Sequence, residues 1–242
     1  MLQRNNVLVL VPAFNEEQTI GSVITELVLE NFNVLVIDDG SDDSTIQEAQ
    51  SHGARVLELP FNLGVGGALR AGFQFAVQNG FEAVVQVDAD GQHPVDEIIN
   101  LVAAANSTNS HLVLGSRFLS SNTSMKVGRL RRFVMWWLAK SASRATGTQI
   151  TDATSGFRLI RQPLLQEFSR TFAINYLGDT YEALISAGRA GYHITEIPAA
   201  LRPRQAGESS ASLTQAFRFT VKEIVTALLH IHQQISLFEE EK

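Results

Sequence analysis

The sequence of 242 residues predicts an α/β fold with a mostly parallel β-sheet. Short apolar runs rich in β-branched residues alternate with segments in which apolar residues recur at helical spacing. These runs are apolar throughout, which is typical of strands that are buried on both faces of a parallel sheet. Polar residues directly follow several of the runs, at the sheet edge where α/β folds bind their ligands.

The first half of the chain accounts for most of the predicted sheet. Strands are predicted at residues 7–11, 34–37, 56–57, 84–87 and 112–114. Helices are predicted at residues 20–27 and at residues 94–105, the latter with Pro94 in its first turn. A further helix begins near the capping residues Asp42–Thr45, and another follows the glycines at 64–67 and extends through residue 76. We expect a nucleotide-binding half to about residue 116.

The second half is less regular. The sequence predicts a helix at residues 127–146, a turn into an extended segment at 155–160, a helix at 179–190 and a strand at 193–197. A polar loop at 202–210 precedes a long helix over about 213–238. We therefore expect one domain over residues 1–212, with an acceptor half from about 117 to 212, and a C-terminal helical segment over 213–242.

Composition narrows the functional classes. The chain has no cysteine, which excludes disulfides and thiolate metal sites. No signal-peptide pattern is present, and no apolar run approaches the roughly 18 residues that a membrane-spanning helix needs. We expect a cytoplasmic protein that is soluble or peripheral at the membrane.

The charges are segregated along the chain. The net charge is -6, yet residues 98–151 contain no acidic side chain. Basic residues in this stretch are Arg117, Lys126, Arg129, Arg131, Arg132, Lys140 and Arg144. The block indicates either an anionic partner or a solvated helix face. Because Trp136 and Trp137 are interleaved with the cations, it also fits an amphipathic helix at a membrane surface.

Two acids stand out after the fourth predicted strand. Asp88 and Asp90 are one residue apart, and residues i and i+2 of an extended segment point the same way. Two converging carboxylates repel each other unless a cation lies between them. Oxygen ligands suit Mg²⁺ or Mn²⁺, and Gln92 offers a further neutral oxygen. The alternative is a strand that ends in a polar turn without a metal.

The ends of the first two strands also carry polar groups. Asn15 with Glu16, and Asp38 with Asp39, are expected at the same sheet edge as the acid pair. A carboxylate after strand two is common in nucleotide sites. The glycines at 64–67 follow strand three and lack the dinucleotide spacing, and no P-loop is present, which argues against NAD-dependent and P-loop enzymes.

Several short motifs occur in order from about residue 7 to residue 210. They are Pro12-Ala13-Phe14-Asn15-Glu16-Glu17, Asp38-Asp39-Gly40-Ser41, Asn62-Leu63-Gly64, Asp88-Ala89-Asp90-Gly91-Gln92-His93-Pro94, Gly115-Ser116-Arg117, Ser155-Gly156-Phe157-Arg158 and Arg204-x-x-Gly207-x-Ser209. Together they resemble the family-two glycosyltransferases of the GT-A fold, and most of all the dolichyl-phosphate mannose synthase group, which glycosylates polyprenyl phosphates. The resemblance implies a GT-A, Rossmann-like sheet flanked by helices.

The resemblance also implies roles for individual residues. Base and ribose contacts would come from Pro12, Phe14, Glu16, Ile37 and Asp39. The metal and the diphosphate would be surrounded by Asp88, the Ala89 carbonyl, Asp90 and Gln92. Arg117 would contact a phosphate, Arg131 or its neighbour Arg132 would bind the acceptor phosphate, and Arg204 would reach the donor diphosphate; Asp90, Arg117 and Arg131 are the expected catalytic residues. One departure is Ser210, where synthases of this group usually have lysine.

The implied activity is an inverting, metal-dependent transfer from a nucleoside-diphosphate sugar, such as GDP-mannose or a UDP-sugar, to a polyprenyl phosphate at the cytoplasmic membrane face. The alternative is transfer to a hydroxyl of a soluble or lipid-linked saccharide, for which Asp179 or Glu182 would be the base. A nucleotide-sugar-binding module and a nucleotidyltransferase are alternatives from other classes. No nucleic-acid partner is expected, and the lack of spanning helices leaves room for a separate membrane-protein partner.

Overall fold

A computed structural model of the chain describes residues 1–119, 129–172 and 179–203. Their strands are β1 (Val7–Ala13), β2 (Asn33–Asp38), β3 (Arg55–Glu58), β4 (Ala83–Gln86), β5 (Leu112–Ser116), β6 (Arg158–Arg161) and β7 (Ile194–Pro198). Their helices are α1 (Ile20–Leu29), α2 (Thr45–Ser51), α3 (Gly64–Gln78), α4 (Val95–Thr108), α5 (Arg129–Thr146), α6 (Leu164–Thr171) and α7 (Asp179–Arg189). Strands and helices alternate through most of the chain, as the sequence predicts.

The strands form one mixed sheet in the order β3-β2-β1-β4-β6-β5-β7. β1 pairs in parallel with β2 and with β4, β2 pairs in parallel with β3, and β5 pairs in parallel with β7. β6 lies antiparallel between β4 and β5. The predicted mostly parallel α/β sheet is therefore confirmed, with one reversed strand that the sequence does not assign a direction.

The parallel pairings bring the ends of β1, β2 and β4 to one edge of the sheet. In the register of β1 and β2, Ala13 pairs with Asp38. In the register of β1 and β4, Leu10 pairs with Gln86. The loops that leave these three strands are consequently neighbours, as expected for a ligand site in an α/β sheet.

Two apolar layers hold the sheet between its helices. On one face, buried residues of α1 and α4 pack against Val9, Val36 and Val85. On the other face, α3, α5, α6 and α7 pack against Leu10, Leu35 and neighbouring strand residues. All residues of β1 are buried, which accounts for its uninterrupted apolar sequence.

Several elements differ from the sequence prediction. Helix α6 is not predicted, because its eight residues are too few to establish a helical period, although Leu164, Leu165 and Phe168 are buried. β4 ends at Gln86, before the predicted end at residue 87. Pro94 is the N-cap of α4 and not its first helical residue. The predicted C-terminal helix over 213–242 lies outside the described residues, as does the domain boundary at 212.

Helix α5 separates its two tryptophans. Trp137 packs against the core, whereas Trp136 is exposed. This division fits a helix with one face on the domain and one face outward. Among the described residues, no helix combines the length and the apolar character needed to span a lipid bilayer.

We predict that Phe73→Ala lowers the free energy of unfolding by about 3–5 kcal/mol, because it leaves a cavity in a closed aromatic cluster. The Phe73 ring is fully buried and lies 5.0 Å and 6.3 Å, between ring centroids, from Phe172 and Phe168. Phe61→Ala is the matched control, since the Phe61 side chain is exposed; its effect should stay within about 0.5 kcal/mol. Urea denaturation measures both values, and equal losses would contradict this account of the core.

Candidate active site

The loops after β1 and β2 are fastened to each other by hydrogen bonds. Asn15, in the left-handed backbone region at φ 56°, receives the Asp42 backbone N–H on its side-chain oxygen. The Asn15 backbone N–H donates to the Ser41 hydroxyl at 2.9 Å, and the Glu16 backbone N–H donates to the Thr45 hydroxyl at 2.8 Å. These three hydrogen bonds hold the β1 and β2 loops together at the sheet edge where the predicted base and ribose contacts lie.

The paired acids at the end of β2, Asp38 and Asp39, are both buried. Asp39 accepts the backbone N–H groups of Leu63 and Gly64 at 2.7 and 2.8 Å, so it joins the β2 loop to the start of α3. Burial raises the pKa of the Asp39 carboxyl, although those two N–H groups act in the opposite direction. Asp38 accepts the N–H groups of Gly40 and Ser41 on Oδ2. Asp38 Oδ1 has no hydrogen-bond partner among the described residues.

The other residues implied in base and ribose binding lie along the same wall. Pro12 and Ile37 are buried and paired in register between β1 and β2. Phe14 follows β1 and is 44% exposed. Glu16 is half-buried, and its carboxylate accepts the Thr19 hydroxyl at 2.9 Å. An exposed aromatic ring beside buried carboxylates is a suitable surface for a nucleotide.

The acidic loop begins two residues after β4 ends. Asp88 is therefore not in an extended strand, and the i, i+2 argument from strand geometry is wrong for this pair. The loop is held instead by its own turn: Gly91 takes φ +75°, and the Gln92 backbone N–H donates to Asp90 Oδ1 at 3.0 Å. Asp90 is buried, whereas the Asp88 side chain is 43% exposed.

Asp88 and its neighbours supply the kind of oxygen ligands that divalent cations prefer. A Cβ added to Gly156 would lie 3.3 Å from Gln86 Nε2 and 3.8 and 3.9 Å from the two Asp88 carboxylate oxygens, so a side chain at this position would pack against that carboxylate. In the part of the chain that the structure describes, no three acidic or histidine side chains gather into a metal cluster. Two carboxylates with neutral oxygens suit Mg²⁺ or Mn²⁺, which keep positions for water and substrate phosphates.

Arg117, expected to contact a phosphate, is held by a buried carboxylate. Its Nε and Nη2 donate to Asp152 at 2.7 and 2.9 Å, and the Asp152 side chain is 0% exposed. These hydrogen bonds raise the pKa of Arg117 above its ordinary value, and the charge of Asp88 acts in the same direction. Arg117 is thus a fixed positive charge within electrostatic range of the acidic loop.

Glu196 of β7 binds the loop segment that carries Asp152. Its carboxylate accepts the backbone N–H groups of Thr151 and Asp152 at 2.8 Å and the Thr151 hydroxyl at 2.9 Å. Burial raises the pKa of the Glu196 carboxyl, while the same hydrogen bonds lower it. The loop that presents Asp152 is therefore anchored to the sheet.

The arginine of the Ser155–Arg158 motif has a structural position. Arg158 is fully buried, and its guanidinium donates to the backbone carbonyls of Ser155 and Thr180. It closes the turn before β6 onto the start of α7. Glu182, one of the two alternative bases, is half-buried on α7.

Other predicted residues lie partly or wholly outside the described part. For Arg131 and Asp179 only the helical backbone is described, in α5 and α7, and Arg204 and Ser210 follow the last described residue, Pro203. The chain before Arg204 does touch the acidic loop. The Arg202 N–H donates to the Gln92 carbonyl at 2.9 Å, and the Arg202 guanidinium binds Glu26 of α1.

An apolar groove opens next to Arg117 and Asp152. Its volume is about 490 Å³, and its lining includes Phe118 and Thr151, the sequence neighbours of that ion pair. Helix α5 provides most of the remaining lining, which consists of Arg132, Met135, Trp136, Ala139, Lys140 and Ser143. Exposed Trp136 stacks on Phe133, and the Lys140 ammonium lies 5.0 Å from the Trp136 ring centroid. The groove thus combines apolar walls with cations.

Sequence reasoning misses the residues that support the site from below. Gly156 belongs to the Ser155–Arg158 motif, and Asp152 lies three residues before it. Their position in or near this motif is the sequence signal that could have identified them. Glu196 gives no such signal, because only the pairing of β5 with β7 brings it to the loop. We expect His93 to have a structural role, and its buried ring lies against Asp88.

Comparison with known proteins adds a family to this geometry. The model of the family described as "Glycosyl transferase family 2" matches residues 8–169. The undecaprenyl-phosphate mannosyltransferase of Micrococcus luteus is 28% identical over 215 residues, covering 85% of this chain and 87% of that protein. A dolichyl-phosphate hexose transferase of Haloferax volcanii is 31% identical over 207 residues, covering 85% and 86% respectively.

A solved structure has a similar fold. Glucosyl-3-phosphoglycerate synthase of Mycobacterium tuberculosis, crystallised with Mn²⁺, UDP-glucose and phosphoglyceric acid, has a TM-score of 0.69 and 25% identity. The alignment covers 93% of this chain and 79% of that one. The similarity extends the match from sequence to three-dimensional architecture and agrees with the predicted GT-A fold.

We predict that Asp152→Asn destabilises the protein by about 3–5 kcal/mol, because it leaves the Arg117 charge without its buried counter-ion. The matched control is Glu26→Gln, which breaks the Arg202 pair, whose side chains are 41% and 45% exposed. Exposed pairs contribute about 0–1 kcal/mol, so the control should change little. Denaturant unfolding measures the free energy of unfolding of both variants. If Asp152→Asn has the wild-type free energy of unfolding, the buried ion pair does not stabilise the protein.

Proposed function

Since the chain belongs to glycosyl transferase family 2 and is a glycosyltransferase, we propose that it transfers a hexose from a nucleoside-diphosphate sugar to the phosphate of a polyprenyl phosphate. One observation carries the choice of acceptor: the apolar groove with Arg132 and Lys140 begins at the residues next to the Arg117–Asp152 pair. A polyprenyl phosphate needs an apolar surface for its hydrocarbon chain and cations for its phosphate, and the groove offers both next to Arg117.

The donor would lie along the edge formed by β1, β2 and β4. The base and ribose would contact Pro12, Phe14, Glu16, Ile37 and Asp39. Phe14 is exposed for stacking, and Asp39 keeps lone pairs for ribose or base donors beyond the two backbone N–H groups that it accepts. The donor would be GDP-mannose or a UDP-sugar.

The diphosphate would lie over the acidic loop. Asp88, the Ala89 carbonyl, Asp90 and Gln92 would hold Mg²⁺ or Mn²⁺, whose bound charge offsets the negative charge that grows on the leaving diphosphate. Arg204 would add a further cation. Support comes from the hydrogen bond between Arg202 and Gln92, which starts the Arg204 segment beside this loop.

The acceptor would be positioned rather than activated by a base. A phosphate monoester is ionised at neutral pH, so its oxygen can attack the anomeric carbon directly once arginines orient it. Arg117 is suited to this task because Asp152 fixes its guanidinium, and Arg131 or Arg132 of α5 would contact the same phosphate from the groove. The new anomeric C–O bond forms as the bond to the diphosphate breaks, which inverts the anomeric centre.

The outer face of α5 would rest on the membrane surface. Trp136 is 55% exposed and Phe133 is 61% exposed, and both lie beside exposed cations. Aromatic rings next to basic side chains are typical of helices at the lipid interface. The protein would therefore be peripheral at the cytoplasmic side, where polyprenyl phosphate is presented.

A second acceptor class is kept because of the structural neighbour that binds phosphoglyceric acid, a water-soluble acid. In this alternative the chain glycosylates a hydroxyl, and Asp179 or Glu182 of α7 serves as the base. The alternative requires a carboxylate for turnover, whereas the lipid-phosphate reaction does not. Asp179→Asn and Glu182→Gln together separate them, since one of the two variants would stop the hydroxyl reaction and neither would stop transfer to a lipid phosphate.

We predict that the full chain converts undecaprenyl phosphate and one of GDP-mannose, UDP-glucose or UDP-N-acetylglucosamine into a glycolipid when Mn²⁺ or Mg²⁺ is present. Asp90→Asn should lower turnover on the order of 100-fold, because charge on the leaving group is no longer offset. Asp96→Asn, on the exposed first turn of α4, is the matched control and should have wild-type turnover. Thin-layer chromatography of radiolabelled lipid measures the product, and glycosylation of a soluble acceptor alone would contradict the lipid assignment.

We predict that Lys140→Ala weakens binding to anionic vesicles about fivefold, because a cation at a lipid surface contributes about 1 kcal/mol. Arg55→Ala is the matched control, since Arg55 is exposed on β3, at the opposite edge of the sheet from β7. Co-sedimentation with phosphatidylglycerol vesicles at low and high salt measures both. Equal binding by the two variants would show that α5 does not face the membrane.

A further inference from the structure

The histidine of the acidic loop makes two contacts with the same neighbour. His93 Nδ1 accepts the Asp88 backbone N–H at 3.0 Å. His93 Nε2 lies 3.8 Å from Asp88 Oδ2. The His93 side chain is only 4% exposed, although it belongs to a loop at the surface edge of the sheet. One buried ring thus touches both the backbone and the carboxylate of Asp88.

The first contact determines what the second one offers. A neutral imidazole has one nitrogen that accepts and one that carries the proton. Because Nδ1 accepts a backbone N–H, the proton of the neutral ring is on Nε2, which is the nitrogen that faces Asp88. The nitrogen that carries the proton is therefore 3.8 Å from Oδ2 of a carboxylate that is 43% exposed, a separation longer than a hydrogen bond but short enough for an electrostatic contact.

The ring is also fixed in orientation by its packing. It stacks on Phe157, with ring centroids 4.6 Å apart and an interplanar angle of 28°. Phe157 is fully buried and packs directly against Gly115, where the added Cβ of any other residue would clash with the Phe157 ring. This close packing supports the orientation in which His93 lies against Asp88.

We infer that His93 is a positioning residue for the divalent-cation site, because it accepts the Asp88 backbone N–H and places Nε2 3.8 Å from the Asp88 carboxylate, which keeps Asp88 in the arrangement that receives the cation. The inference rests on the proposed function, in which Asp88 is a ligand. Groups that hydrogen-bond to metal ligands affect metal affinity about 10- to 100-fold when they are removed. A histidine that only filled space under the loop would affect stability and leave metal affinity unchanged.

Two substitutions separate the contacts of His93. In His93→Asn, the side-chain oxygen replaces Nδ1 as acceptor for the Asp88 N–H, and the group at Nε2 is lost. In His93→Gln, an amide N–H can reach the position of Nε2, and the acceptor at Nδ1 is lost. His111→Asn is the matched control, because His111 Nδ1 also accepts a backbone N–H, that of His193, at 3.0 Å. His111 directly precedes β5, at the end of the sheet opposite to the acidic loop.

The experiment titrates the full chain with Mn²⁺, in the presence of UDP or GDP, and follows free Mn²⁺ by electron paramagnetic resonance. We expect His93→Asn to raise the Mn²⁺ dissociation constant at least about tenfold, with a smaller rise for His93→Gln and none for His111→Asn. Thermal melts confirm that each variant is folded at the titration temperature, and His93→Gln carries the test if His93→Asn is unfolded. Wild-type Mn²⁺ affinity in folded His93 variants would overturn the inference alone. Failure of the wild-type chain to bind Mn²⁺ would overturn the proposed cation site and this inference together.

Discussion

The parallel pairing of β1 with β2 on one side and with β4 on the other is the constraint on which the site depends. It places the loops that follow these strands side by side, so residues 14–17, 38–41 and 88–92 line one edge. The pairing is secured by burial, since every residue of β1 is inside the protein. A register shift of one residue in a strand would turn its buried side chains to the opposite face of the sheet and would displace the loop that follows it. The register of three apolar strands therefore fixes the position of the polar site.

The acidic side chains at this edge differ in burial and in their backbone contacts. Asp38, Asp39 and Asp90 are buried and accept backbone N–H groups, which hold their loops in place. Asp88 differs because its carboxylate is 43% exposed, with Gly156 close beside it. Arg117 supplies a fixed positive charge whose counter-ion, Asp152, is wholly buried. The edge can thus offer a carboxylate to a cation and a guanidinium to a phosphate within one site.

Sequence patterns predicted the features that depend on local periodicity. The alternating strands and helices, and the acids at the ends of β2 and β4, were accessible in this way. Which of Trp136 and Trp137 packs against the core was not predicted. Features that depend on long-range packing were not. β6 enters the sheet in reverse, and Glu196 reaches the loop of Asp152 only because β7 pairs with β5. The geometric reason given for the Asp88–Asp90 pair was wrong, because a turn and not a strand presents these residues.

The apolar groove begins at Phe118, next to Arg117, and the proposed function requires a cation and a nucleoside diphosphate at the edge formed by β1, β2 and β4. The most direct measurement is the crystal structure of the full chain with Mn²⁺ and UDP or GDP, using the anomalous signal of manganese. We predict one anomalous peak contacted by Asp88 and Asp90, with the diphosphate on its open side and the base near Phe14. A nucleotide bound elsewhere, or manganese absent from these two carboxylates, would contradict the account.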